Sequence, residues 1–110
     1  MIELRGYIDE NGNKRFAQWL EGLDAATAAK VTMALTRMEL GSFSKVKSVG
    51  SGVFEYKIDF GPGYRIYFGK DGDRLVILIG GGTKKRQQQD IAAAKACWTA
   101  YKRRKKQEVQ

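Results

Sequence analysis

The feature that most constrains this chain is a pair of alternating segments joined by Gly61-Pro62-Gly63. Before the glycines, Phe54, Tyr56, Ile58 and Phe60 alternate with Val53, Glu55, Lys57 and Asp59. After them, Tyr64, Ile66 and Phe68 alternate with Arg65 and Tyr67. Successive strand residues point to opposite faces, so each segment reads as a strand with an apolar and a polar side. A three-residue loop would pair Phe60 with Tyr64, Asp59 with Arg65 and Lys57 with Tyr67, and opposed residues share a face. All the aromatics of even number then face a core, and Glu55, Lys57, Asp59, Arg65 and Tyr67 face away from it. A slip of one residue would turn a strand's apolar set outward, which fixes the pairing to one parity.

The rest of the chain is arranged around this hairpin. Ile2 to Ile8 reads as a first strand, and Asn11-Gly12-Asn13 as a turn. Phe16, Trp19, Leu20 and Leu23 form the stripe of an amphipathic helix. Asp24 is placed to cap a second helix with Ala28, Val31, Leu35 and Met38 on its inner side, ending at Gly41. Asp71-Gly72 is a two-residue turn signal, and it would set Val76 beside Tyr67 and Leu78 beside Arg65. Leu75 to Ile79 is apolar throughout, as in a strand covered on both faces, and Gly80-Gly81-Gly82 is expected to break it. A last helix carries Ile91, Ala94 or Lys95, Trp98 and Tyr101 inward, and ends in the cationic run Lys102 to Lys106. The expected fold is α+β in the order βααβββ(β)α, with an antiparallel-rich twisted sheet and its helices gathered on one side. One domain over residues 1–101 is followed by a basic tail over 102–110.

Composition narrows the chemistry. The 110 residues carry a formal net charge of +8, which favours a polyanionic or acidic partner. There is no histidine and a single cysteine, Cys97, which excludes an internal disulfide, Cys/His zinc sites and histidine-based catalysis. Cys97 itself reads as a half-buried structural thiol. Met1 to Arg5 does not read as a signal peptide, and no apolar run reaches membrane-spanning length, so a cytoplasmic protein with no membrane partner is expected. No metal or other cofactor is implied. Arg65, Lys57 and the cluster Lys84, Lys85 and Arg86, with the ring of Tyr67 between them, combine cations for phosphate with an aromatic for an unstacked base.

Phe54 to Phe68, with Gly-Pro-Gly-Tyr-Arg at its centre, resembles a stretch typical of the RelE/ParE toxin superfamily, closest to the phage-Gp49/HigB-like addiction module killer proteins. Asp71-Gly72-Asp73, Gly80 to Lys84, Asp90 to Lys95 and Trp98 extend the resemblance over residues 2 to 101. It implies the toxin of a type II toxin–antitoxin system, held in check by an antitoxin, often a helix-turn-helix protein. RelE- and HigB-like members are ribosome-dependent mRNA endoribonucleases, and ParE-like members inhibit DNA gyrase. On the endoribonuclease reading, which needs no metal, Lys57 and Arg65 match the family's strand lysine and arginine, and Lys84, Lys85 or Arg86 its basic residues past the last strand. Cleavage by a 2′-hydroxyl would use Arg65 to stabilise the phosphorane and Lys57, or else Glu55, as base. Lys84, Lys85 and Arg86 would hold phosphates and Tyr67 would stack a base. A gyrase inhibitor, a catalytically degenerate binding module and a nucleic-acid-binding regulator are the alternatives.

Overall fold

A computed structural model describes residues 1–108. The chain runs β1 (Glu3–Gly6), α1 (Arg15–Glu21), α2 (Ala25–Glu39), β2 (Val46–Gly50), β3 (Val53–Ile58), β4 (Tyr64–Lys70), β5 (Leu75–Thr83), a 3-10 turn (Lys84–Arg86) and α3 (Gln87–Glu108). The α+β order expected from the sequence is the one observed. The five strands lie in the order β1-β5-β4-β3-β2, with β1 parallel to β5 and the other pairs antiparallel.

The helices are not gathered on one side, as the alternation suggested. Phe16 of α1 and Val31, Ala34 and Met38 of α2 pack on Tyr56, Ile58, Ile66, Phe68, Val76 and Leu78. On the opposite face Ala94 and Trp98 of α3 pack on Val53, Tyr67, Ile77 and Ile79. The sheet is therefore the middle of three layers. The polar positions of β3 and β4 misled the expectation, because α3 covers the part of that face where its small residues and rings can settle. On α2 the inner stripe is Thr27, Val31, Ala34 and Met38, one position off the expected Ala28 and Leu35 at two of its four places. The Asp24 carboxylate accepts from the Thr27 backbone N–H at 2.8 Å and caps the helix as expected.

Both hairpin registers differ from the simplest loops. Ile58 pairs with Tyr64, so the first loop is Asp59 to Gly63 and not the three glycine-proline residues alone. The Gly63 N–H donates to the Phe60 carbonyl at 3.0 Å, which closes a turn on Phe60 before the strand restarts. Lys57 consequently opposes Arg65, and Glu55 opposes Tyr67. The shift is by two, so every face assignment in that hairpin survives. The second hairpin shifts by three residues next to its turn and by four beyond a bulge. Lys70 pairs with Val76 and Phe68 with Leu78, and Ile79 is then bulged out, so that Tyr67 meets Gly80 and Arg65 meets Gly82. Val76 and Leu78 lie on the α1–α2 face and not beside Tyr67 and Arg65.

The three glycines do not end β5, which runs on to Thr83. Their lack of side chains is what lets neighbours approach. A Cβ at Gly81 would lie 2.4 Å from the Trp19 ring, and one at Gly82 would lie 1.9 Å from Asp90 Oδ2.

The cationic segment expected as a tail continues α3 as far as Glu108, and Val109 and Gln110 lie outside the described residues. It is tied back to the sheet. Arg104 donates to the Ile8 carbonyl, Lys105 pairs with Asp71, and Tyr101 donates to Asp71 Oδ2 at 2.6 Å. Hydrogen bonds from Lys105 and then Tyr101 hold the Asp71 carboxyl below its ordinary value, and burial with the Asp71 bond pushes the Tyr101 phenol up to about 12. A depressed carboxylate contributes stability that is full above its unfolded pKa and is lost as pH falls through the folded value. Amide protection in residues 101–108 is therefore expected to fall as pH drops through and below the ordinary carboxylate range, and Asp71→Asn to remove that dependence. Equal acid sensitivity in the variant would show that Asp71 is not the clasp.

Candidate functional site

The site is built by three short pieces of chain. β3 and β4 bring Lys57 and Arg65 opposite each other on the face away from α1 and α2. The Asp59–Gly63 loop closes one end. The 3-10 turn after β5 arrives from the other side, fastened by a bond from the Lys84 N–H to the Gly63 carbonyl at 3.0 Å. Lys57, Asp59, Phe60, Gly61, Pro62, Gly63, Arg65 and Lys84 line an open cleft of about 310 Å³ between them.

Arg65 forms the floor of that cleft. It is 6% exposed. Among the described residues its only acidic neighbour within ion-pair distance is Glu55, with Nε 3.9 Å from Oε1, too long for a hydrogen bond. Nε and Nη1 are buried and find no hydrogen-bond partner among the described residues. Each such donor costs about 1–3 kcal/mol if it stays unengaged in the working protein. Gly63, at φ +83°, leaves room for the guanidinium, since a Cβ there would stand 3.3 Å from Nη1. The second glycine of the loop thus serves both a left-handed turn and the placement of Arg65.

Glu55 lies beneath Arg65 and is 1% exposed. Gln87 Nε2 donates to its Oε2 at 2.8 Å, and Lys47 Nζ stands 3.7 Å from its Oε1. A carboxylate so enclosed cannot reach a substrate hydroxyl, which corrects its reading as a rival base. Tyr67 is corrected likewise. It is 1% exposed, packed in the α3 layer with Ile77, Ile79 and Trp98, and presents no ring for a base to stack on. Burial and the Glu55 charge push its phenol far above the usual range, and its hydroxyl has no hydrogen-bond partner among the described residues. Asp90 adds another buried oxygen without a partner among the described residues, and burial raises its carboxyl above the ordinary value against the pull of Arg86 and Arg15.

Lys57 and Lys84 are exposed at the rim, and Lys57 Nζ stands 3.5 Å from Asp59 Oδ1. Lys85 and Arg86 are exposed but do not line the cleft, because the chain is a fixed turn there and not the flexible loop that the glycines suggested. The sequence reading missed Gln87 and Lys47. Nothing in Gln87-Gln88-Gln89 distinguishes the glutamine that turns inward, and Lys47 stands on a strand whose register the sequence does not set.

Among the described residues, no helix is long and apolar enough to cross a membrane. A protein of Haemophilus influenzae described only as uncharacterized is 43% identical over 65 residues, which cover 58% of this chain and 66% of that protein. The chain thus spans a little under two thirds of that relative's length. The family model for phage derived protein Gp49-like sequences matches residues 18–105, a stretch that includes both site strands, the basic turn and most of α3. On that match the chain belongs to the phage-derived Gp49-like family.

Proposed function

We propose that the protein is the toxin of a toxin–antitoxin pair, of the RelE/HigB-like kind, and cleaves mRNA on the ribosome at the Arg65 cleft. The observation that carries this reading is the buried guanidinium with two unengaged nitrogens, set below two exposed lysines in an open cleft. Desolvation strengthens the attraction between such a group and a phosphate, and the missing hydrogen bonds are ones that phosphate oxygens supply. Membership of the Gp49-like family supports a toxin, and the net charge of +8 supports an RNA substrate.

In the proposed reaction the 2′-oxygen attacks the adjacent phosphorus and the bond from phosphorus to the 5′-oxygen breaks. A 2′,3′-cyclic phosphate and a 5′-hydroxyl result. Arg65 neutralises the phosphorane oxygens. The 2′-hydroxyl proton goes to Lys57 in its neutral amine form, reached by loss of a proton to solvent before the attack, and the leaving oxygen gains a proton from solvent or the ribosome. Lys84 holds the neighbouring phosphate, with Lys85 and Arg86 further along the strand. Glu55 positions Arg65. The ribosome orients the mRNA, which lightens the demand on side chains as weak as these. The partner that restrains the toxin is its antitoxin.

The test is cleavage of an mRNA under translation by the purified protein, against the same RNA free of ribosomes. Cutting only in the translated sample is expected, and no cutting in either would end the reading. Lys84→Gln is expected to weaken binding to an RNA with 2′-deoxy substitution at the cut and to lower the salt slope of binding by about one phosphate contact. An unchanged slope would remove Lys84 from the interface.

A further inference from the structure

Gln87 sits at the first residue of α3, 32 positions from the carboxylate that it holds. Its amide fixes Oε2 of Glu55, and this decides where Oε1 points. Oε1 stands between Lys47 at 3.7 Å and Arg65 Nε at 3.9 Å, with no hydrogen bond to either. Among the described residues the Gln87 amide is the one group that meets hydrogen-bond geometry with Glu55, whose charge also acts on the neighbouring Tyr67 hydroxyl, and this anchor comes from α3. The donor is neutral, so it orients the carboxylate without cancelling the charge that faces Arg65. A lysine or arginine in its place would do both.

We infer that Gln87 is a positioning residue for Arg65, acting through Glu55, so that docking of the first turn of α3 sets the guanidinium for the phosphate. The inference rests on the proposed reaction at Arg65 for its kinetic readout, and has a second readout that does not. The turn before α3 is already fixed to the Gly63 carbonyl through Lys84, so one short stretch of chain governs both the loop and the floor of the cleft. Without Gln87 the buried carboxylate is free to rotate toward Lys47, and Arg65 loses the acidic neighbour it has at ion-pair distance. A group that acts in the transition state and has slipped from its place lowers kcat more than it raises KM.

Gln87→Ala is expected to lower kcat for ribosome-dependent cleavage about tenfold with KM near that of the parent, and to lower the melting temperature by about 5–10 °C because a buried carboxylate oxygen loses its donor, while the protein stays folded at the assay temperature. In a Glu55→Gln background the same substitution should have little further effect, because residues acting through one contact are not additive. A tenfold loss in both backgrounds, or a fall in melting temperature that accounts for the loss, would overturn the inference. The Nε–H resonance of Arg65 in nitrogen-15 spectra is the readout independent of activity. It is expected to shift in Gln87→Ala and to stay in place in Gln88→Ala. An unmoved resonance in Gln87→Ala would overturn the positioning role. If the parent protein cleaves no RNA, the proposed reaction fails, and the resonance alone decides whether Gln87 governs Arg65.

Discussion

Arg65→Lys is expected to lower the rate of mRNA cleavage by about two to three orders of magnitude and to abolish growth arrest, with the fold retained. The substitution keeps the positive charge, so an effect of this size separates the geometry of the guanidinium from its charge. A lysine is a point charge on a flexible stem, whereas the arginine presents a planar fork that two phosphate oxygens can share. The buried position sharpens the difference. Arg65 is closed in by Gly63, Gly82 and the Glu55 carboxylate, and its Nε and Nη1 are buried with no hydrogen-bond partner among the described residues. An ammonium there has a shorter reach, and its donors radiate from a single nitrogen and form no planar fork. The stability of the variant should change little, because Glu55 keeps its bond from Gln87 and the nearby Lys47. Purified variant and parent can be compared by cleavage of translated mRNA and by thermal melting. A folded Arg65→Lys protein cutting within a factor of three of the parent would remove the bidentate role.

Gly81→Ala and Gly69→Ala are each expected to destabilise the protein by about 3 kcal/mol and to lower the melting temperature by about 10–20 °C. The causes lie on opposite faces of the sheet. A Cβ at Gly81 would stand 2.4 Å from the Trp19 ring, and one at Gly69 would stand 2.5 Å from the Trp98 ring. Neither indole can retreat without opening the layer that it seals, since Trp19 packs on the α1–α2 core and Trp98 is buried under α3. Gly80→Ala is the internal control. Nothing lies within 4 Å of a Cβ there, so it should be neutral or stabilising by up to about 1 kcal/mol. The three variants thus divide glycines of similar appearance by what lies above them. Equal melting temperatures for Gly80→Ala and Gly81→Ala would contradict the packing described for Trp19.

Much of the fold was legible because its determinants are local. The alternation in Val53–Phe68 dictates two strands of fixed parity, and a loop lengthened by two residues cannot disturb that parity. The Asp24 cap and the Phe16 stripe are equally short in range. What failed depended on distant residues. The second hairpin seemed fixed by Asp71-Gly72, but its register depends on the bulge at Ile79, and no local residue announces a bulge. The glycine run read as a break because glycine is poor in strands; only the docking of Trp19 and Asp90 explains why it is one.

The candidate site divides in the same way. Lys57 and Arg65 share a face by strand parity, and Lys84 follows from its place after β5. Periodicity cannot say how deep a residue lies on its face. Glu55, Lys57, Arg65 and Tyr67 look alike as outward positions, yet Lys57 is exposed and the other three are buried. The difference is made by α3, which arrives from more than twenty residues away and lays Gln87 and Asp90 against the sheet.

The measurement that bears most directly on the Arg65 cleft as an RNA-cleaving site is the chemistry of mRNA ends in cells shortly after induction of the protein. New ends are expected inside translated regions, with 2′,3′-cyclic phosphate on the upstream fragment and a 5′-hydroxyl on the downstream one, absent in Arg65→Lys. Growth arrest with intact mRNA and a DNA-damage response would contradict this and point to gyrase instead.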